Sequence, residues 1–449
     1  MSGWGRHPKV RAQVARPERR AEVTAALADR QDTPMLAYGL GRSYGDAALL
    51  EGGRMVLTRR LDRMLDFDPE TGWLTVEAGV SLEEIIQTFV PRGFFPPVVP
   101  GTQFVTVGGA LACDIHGKNH HVDGTFADHV RQVELMTGAG DLVTCDAEHE
   151  PELFWATVGG MGLTGLVLSM QLRLVRIDNP FIEMESVRVE NLDHFFEVSA
   201  ESGDFTHTVS WIDCVTTGSA MGRGIFMRGR YAPAGTQGSL SLLQRVGRLA
   251  PGLLDLRVDG PNWLLNGASI RAFNETYFRK QPKGVTRSTV HYEPFFFPLD
   301  NVRQWNRLYG ERGFLQYQFV VPTDPEHRAV RAVLAEITRS GLGSFLAVIK
   351  EFGARRHGGL SFPAPGVTLA LDFGHVGAPL LQLLDRLDAV VLEAGGRVYL
   401  GKDARLPREV FRQMYPEWAA WKAVRDAWDP GDVFQSGLGH RLGLCGGAP

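Results

Sequence analysis

Glycine in this sequence is crowded into three blocks, Gly39–Asp46, Pro100–Gly124 and Gly159–Gly165. The chain carries 52 glycines in 449 residues, about 12% against a usual ~7%. Because glycine weakens helix and strand interiors, such clustering marks backbone that bends tightly or approaches a ligand closely. The familiar phosphate-binding patterns do not account for it. Gly39-x-Gly41-x-x-x-Gly45 is too long for the dinucleotide fingerprint and no clear helix starts there, while no block ends in Gly-Lys-Ser or Gly-Lys-Thr as a P-loop does. A single glycine turn after a strand is ordinary. Three blocks of small residues with free backbone N–H groups suit a long, bent ligand, and such nests bind pyrophosphate without net side-chain charge.

The rest of the composition narrows the class. With 47 Lys+Arg against 51 Asp+Glu the net charge is −4, which argues against a dedicated nucleic-acid binder. A hydrophobic share of 44% with 22% charged residues excludes a disordered or fibrous chain. No apolar run approaches the ~18–20 residues of a membrane span. The Arg-rich start (Arg6, Arg11, Arg16, Arg19, Arg20) has no apolar stretch behind it, so no signal peptide is expected. Cys113, Cys145, Cys214 and Cys445 form no CxxC pair and read as reduced thiols of a cytoplasmic protein. The length suggests two or three domains.

Along the chain, Pro17 to Gln31 predicts a helix, followed by short strands at Met35–Tyr38, Met55–Thr58 and Trp73–Ala78. Ser81-Leu82-Glu83-Glu84 is a capping box opening a helix that ends at Gly93. Pro100–Gly124 reads as loop. Strands Val130–Thr137 and Leu142–Cys145, a turn with a short helix at Asp146–Phe154, and strand Leu166–Val175 close an α+β unit. Beyond Asn179-Pro180, alternating strands are expected at Phe181–Val189, His207–Val215 and Gly224–Tyr231. Gln237–Gly284, with Leu242, Val246, Leu249 and Leu253 at helical spacing but broken by Gly and Pro, reads as a poorly anchored flap. From Phe314 the pattern is β-α-β-β-α-β, with helices at Glu326–Ser340 and Pro379–Ala394 and a last strand at Arg397–Leu400. A terminal helical stretch covers Arg408–Trp428.

The motifs Gly39–Asp46, Pro100–Lys118 and Phe154–Gly165 resemble the FAD-binding domain of the vanillyl-alcohol oxidase / p-cresol methylhydroxylase (PCMH) superfamily. Within it, Gly41–Asp46, Cys113–His121, Gly313–Phe319 and Lys402-Asp403 are similar to the decaprenylphosphoryl-β-D-ribose 2-oxidase family, over nearly the whole chain. The resemblance implies a two-part PCMH-type FAD-binding domain, residues 1–180 and 396–449. A substrate domain at 181–395 would be inserted between them, built on an antiparallel sheet with helices on one face. It implies oxidation of the ribose 2-hydroxyl of a polyprenyl-phosphoryl sugar to a ketone, as first half of an epimerisation toward an arabinose donor. An NADH-dependent ketoreductase would complete that epimerisation. Two other readings stay open: a flavin oxidase of a soluble alditol, sugar lactone or glycoside, and a non-catalytic flavin-binding module.

The same resemblance supplies candidate residues. Gly39, Gly41, Arg42, Ser43, Tyr44, Gly45, Gly101, Thr102, Thr106, Gly108, Gly109, Cys113, Gly117, Asn119, Gly160, Gly165 and Tyr399 are expected around the cofactor. His116, Lys402 and Tyr44 are the catalytic candidates. His116 either meets substrate at the flavin or ties down its loop; Lys402 either supplies positive charge to the flavin and alcohol oxygen or pairs with Asp403. Lys118, Trp211, Gln316, Gln318, Lys350 and Ala370 are expected on the substrate side. Lys118 either approaches the substrate phosphate or is solvated. Gln316 and Gln318, two apart on a strand, share a face for sugar hydroxyls or an exposed edge. A metal site from His116, His120 and His121 is set aside, because Gly117 disfavours a helix and no partner carboxylate is evident beyond Asp114. Many superfamily members attach the flavin through a histidine in the first loop; Ser43 and Tyr44 stand here, so the FAD is expected to be dissociable. Ala370 replaces a cysteine of mycobacterial members and Thr368 an asparagine, which excludes covalent capture at residue 370. Phe295–Asp300 also departs from a more polar stretch. The 237–284 segment lies over the pocket, meets a lipid surface, or simply packs.

Overall fold

The capping box at Ser81 forms as expected. Ser81 Oγ accepts from Glu84 N at 3.2 Å and Glu84 returns a 2.7 Å bond to Ser81 N, so helix Leu82–Phe89 starts cleanly. Its apolar face, Leu82, Ile85, Ile86 and Phe89, is buried under a five-stranded antiparallel sheet, strands Met64–Phe67, Trp73–Glu77, Leu166–Arg173, Val130–Met136 and Leu142–Asp146 in spatial order. A smaller parallel sheet holds Gln13–Ala15, Arg54–Leu57 and Met35–Tyr38. The structure is a computed structural model and describes residues 1–238, 255–261 and 263–446.

The largest sheet has eight antiparallel strands in the order Val285–His291, Phe181–Val189, Gly224–Tyr231, His207–Ile212, Ala347–Phe352, Gly366–Gly374, Phe314–Val321 and Arg397–Val398. Its second half is the expected split βαβ unit, joined to the first half through Ser210↔Ile349 and Trp211↔Val348. Strand alternation gives it two unlike faces. Ile212, Phe226, Tyr317, Phe319, Ala347, Ile349, Leu369 and Leu371 point to a core capped by helices Leu192–Ala200, Arg328–Ser340 and Ala378–Glu393. The opposite face carries His207, Trp211, Gln316, Gln318, Lys350, Thr368, Ala370 and Asp372, and turns toward the glycine loops. The fold is α+β. Arg397–Val398 pairs with Phe319 and Val320 at the sheet edge, after which the chain returns to the N-terminal half. There Gln435 N bonds Met35 O at 3.0 Å, Gly437 N bonds Leu49 O at 2.7 Å, and Arg441 clamps Asp46 with two bonds.

Several expectations need correction. Helix Pro17–Gln31 shortens to Arg20–Ala28, because Arg19 is extended (φ −139°) and Gln31 turns left-handed (φ 45°). The Pro100–Gly124 stretch is not all loop. It contains helix Val107–Ala112, capped by Thr106 accepting from Gly109 N, and a short helix His120–Asp123. Gly108 sits inside that helix because a Cβ there would lie 2.9 Å from the Ala78 Cβ; close packing explains this glycine. The terminal helical stretch breaks at Tyr415 into Arg408–Met414 and Trp418–Trp428. Leu242, Val246, Leu249 and Leu253 of the flap lie outside the described residues. The described remainder is anchored: helix Gly267–Lys280, capped by Asn266, buries Ile270 and Phe278, and Asn274 Nδ2 donates to Asp213 Oδ1 at 2.9 Å.

Candidate active site

The three glycine blocks meet. Gly39 lies so close to Thr106 that a Cβ would fall 2.4 Å from its Oγ1, and Ser43 Oγ is 3.8 Å from Cys113 Sγ. Gly159 N bonds Leu111 O and Met161 N bonds Ala112 O, which joins the third block to the second. Glycine is required at Gly41, with φ +63° and Tyr38 OH 2.0 Å from where a Cβ would be. Gly101 faces open space and Gly109 meets only Thr106 Oγ1, so backbone there is approachable. Gly45, Gly160 and Gly165 also have packing reasons: a Cβ there would abut Asp403 O, Ala156 O and the Leu135 side chain. Asn119 ties its loop by donating to Pro97 O and Asp123 Oδ2. Arg42 stretches its guanidinium over Trp4, 3.9 Å from the ring centroid, and over Phe104. Thr102 Oγ1 accepts from Phe104 N at 3.2 Å.

His116 is set by a short relay of local structure. Helix Val107–Ala112 stops at Cys113, Asp114 turns left-handed (φ 40°), and its buried carboxylate accepts from Ser361 Oγ at 2.5 Å. The imidazole then reaches the large sheet, among Phe352, Phe362 and Tyr399. Gln318 Nε2 donates to His116 Nε2 at 2.9 Å and to Thr368 Oγ1 at 3.3 Å. Nε2 is thus the acceptor, and the ring hydrogen sits on Nδ1, which is buried without a partner. Burial, then Lys350, holds His116 well below the usual histidine range, so it is neutral. Tyr399 OH donates to Cys113 O at 2.8 Å and ties the C-terminal return to the second glycine block.

A second cluster forms around Lys402. Its ammonium lies 4.0 Å from the centroid of buried Tyr44, which packs edge-on against Phe314. Asp403 does not pair with it. That carboxylate binds Arg441 at 2.8 Å and caps Arg405 N and Leu406 N. Gln316 donates to Asp372, its register partner on the next strand. Since Phe314–Val321 is internal to the sheet, the exposed-edge reading of the two glutamines fails.

The third group is cationic. Lys350 Nζ donates to Gly117 O at 2.9 Å, and Lys118 Nζ to Phe296 O at 3.2 Å. Burial and then Lys118 push Lys350 down to about 7; burial alone pushes Lys118 down to about 8. His207 stands beside them with Nδ1 unpartnered, and burial and then Lys118 lower it to about 3. His120 accepts from Gly353 N and His121 Nε2 bonds Phe205 O, so the histidines of this loop diverge. Among the described residues no group of three metal-binding side chains occurs. Trp211 lies on the same sheet face, but its indole donates to Phe345 O and packs on Tyr277, in a cluster separate from His116. Ala370 sits in register between Gln318 and Val348. Asp372 and His207 escaped the sequence reading. Both could have been reached by alternation, two residues beyond Ala370 and four before Trp211.

Approachable backbone at Gly101 and Gly109, the unpartnered His116 Nδ1 and the Lys402 ammonium suit a dinucleotide with an electron-poor ring, and these residues fit FAD. Fold and site together define an FAD-dependent oxidoreductase. Sequence relationships agree: the FAD binding domain family matches residues 11–146 and the D-arabinono-1,4-lactone oxidase family residues 374–442. The chain is 38% identical to the decaprenylphosphoryl-beta-D-ribose oxidase of Mycolicibacterium smegmatis, over 99% of this chain and 97% of that protein. It is 28% identical to the D-arabinono-1,4-lactone oxidase of Eremothecium gossypii over 42% of this chain and 36% of that protein. It is 29% identical to the L-gulonolactone oxidase of Scyliorhinus torazame over 33% of each. The chain belongs to the decaprenylphosphoryl-β-D-ribose oxidase family, and the non-catalytic reading is set aside.

Proposed function

We propose that this protein oxidises the 2-hydroxyl of a polyprenyl-phosphoryl-β-D-ribose to a ketone, the first half of an epimerisation toward the arabinose donor. Residues 1–180 and 396–449 would hold the cofactor and 181–395 the substrate. The observation that carries the substrate class is the Lys118–Lys350 pair. Lys118 lies close enough to lower both Lys350 and His207, whose Nδ1 is orphaned, and no carboxylate enters the balance of either half-buried lysine. Such a pair is costly unless an anion completes it, and a phosphodiester does so.

When bound, FAD would supply the acceptor for the carbinol hydrogen as hydride. The chain supplies the rest. Lys118 and Lys350 anchor the phosphate and orient the ribose. His116, fixed by Gln318 as the Nδ1–H tautomer, donates one hydrogen bond into the pocket. Lys402, held over Tyr44, offers positive charge where negative charge develops. Phe296, Phe352 and Phe362 exclude water. The product is a keto sugar, so a reductase, of the NADH-dependent class, would consume it. No described helix is long and apolar enough to cross a membrane; we place any lipid contact at the exposed Val258 and Trp263, testable by vesicle co-sedimentation.

A second reading, oxidation of a soluble sugar lactone or alditol, draws on the match of residues 374–442 to the lactone oxidase family. Anaerobic mixing with prenyl-phosphoribose, free polyols and lactones separates the two. Flavin bleaching by the phosphorylated lipid alone is expected; bleaching only by a neutral sugar overturns the proposal.

A further inference from the structure

Asp372 has no assigned role, yet it is the most conspicuous polar group of the pocket. Its side of strand Gly366–Gly374 carries Thr368 and Ala370, and the carboxylate is 1% exposed. One oxygen accepts from the Gln316 amide; Oδ2 is buried with no partner. Four elements converge on it: Gln316 from the neighbouring strand, Lys402 from the C-terminal return, Tyr44 from the first glycine loop, and Tyr309 from the turn Trp305–Tyr309. The Tyr309 hydroxyl is also buried and unpartnered. Lys402 and Asp372 sense each other's charge, yet among the described residues no contact ion pair joins them. A free carboxylate oxygen, an ammonium and two phenols are thus gathered in one place: Lys402 lies over Tyr44, and Tyr44 and Tyr309 pack together around Phe314.

Resting on the sugar-oxidising reading above, we propose that Asp372 is the proton acceptor of the site. The substrate O–H bond breaks and its proton passes to Asp372 Oδ2. The carbinol C–H bond breaks with its electron pair, which leaves with the hydrogen to the cofactor, and the C=O bond forms. One proton and one hydride leave the alcohol, and the balance is complete. Lys402 is the poorer acceptor: burial lowers it, but the charge of Asp372 offsets part of that and favours the ammonium. It instead steadies the oxygen as negative charge builds. Burial pushes Asp372 well above the usual carboxylate range, against the Gln316 bond and Lys402, toward the range a general base needs. The sign follows: the ionised form accepts, so the rate rises with pH through about neutrality.

The test compares wild type with Asp372→Asn by anaerobic flavin reduction at saturating substrate, where the opposite dependence of Lys350 on phosphate affinity drops out. We expect a loss of about 10²–10³-fold and disappearance of the rising pH limb, with FAD content and visible spectrum unchanged. Gln316→Leu, which removes a bond favouring the ionised carboxylate, must move that limb to higher pH. In the infrared, the holoenzyme must show a protonated-carboxyl band that titrates near neutrality and is missing from Asp372→Asn. Wild-type rates or an unchanged pH limb in Asp372→Asn overturn the inference and leave the sugar-oxidase reading intact. If no sugar reduces the wild type, that reading fails and the inference falls with it.

Discussion

The Lys118–Lys350 pair makes a quantitative demand on substrate binding. A prenyl phosphodiester keeps one negative charge across the working range, so any pH dependence of its affinity belongs to the protein. Both lysines are depressed by burial, to about 8 and about 7. The charge that attracts phosphate is therefore complete below those values and lost as pH rises through them. Each unit above a free-protein pKa costs about 1.36 kcal/mol, or tenfold, while the bound lysine stays protonated. From about pH 6 to about pH 9, Lys350 accounts for ~10²-fold and Lys118 for ~10-fold, together ~4 kcal/mol. Titrating prenyl-phosphoribose against the flavin spectrum of the Asp372→Asn enzyme, in which flavin reduction is slowed enough to follow binding first, reads this directly. Lys350→Met should weaken binding at low pH by about 10–10²-fold, the worth of a charged hydrogen bond, and leave only the shallower slope of Lys118. A dephosphorylated analogue should bind with no such slope. Affinity that is flat with pH, or equally steep for the neutral analogue, would refute the assignment of these lysines.

Acid precipitation should release yellow FAD into the supernatant, since Ser43 and Tyr44 offer no imidazole and burial keeps the Cys113 thiol protonated; colour retained in the pellet contradicts this. His116→Ala should slow flavin reduction by ~10²-fold, in the range of a lost preorganised donor, while Gln318→Leu should slow it less and keep the cofactor; equal losses in stopped-flow traces would argue that His116 only holds its loop. Arg425 is buried and binds Asp429, Phe434 O and Leu163 O, so Arg425→Met should cost about 3–5 kcal/mol in urea unfolding of the holoenzyme by stranding Asp429; a loss below ~1 kcal/mol would mean the network is not a structural tie.

Much of this architecture is written locally. The Ser81–Glu84 capping box, the apolar stripe Val330, Val333, Leu334 and Ile337, and the stop at Gly341 (φ +72°) depend only on neighbours within a turn or two. So does the alternation that puts Gln316 and Gln318 on one face, and the glycine blocks announced a ligand cradle before any contact was known. Local rules do not show what crowds each glycine: at 108 and 45, Ala78 and Asp403 occupy the space a side chain would need, a packing demand that no local pattern encodes.

Pairings between distant segments have no such signature. His116 meets Gln318 across 202 residues, Gln316 meets Asp372 across 56, and Arg441 meets Asp46 across 395. No periodicity encodes them, because a hydrogen bond between strands depends on register, and register depends on which faces find the core. The chain alone therefore specified the elements, the cofactor class and the family. Packing chose which lysines lost their water, which imidazole nitrogen kept its hydrogen, and which buried carboxylate oxygen was left open, since burial and proximity exist only once the sheet has closed over the loops.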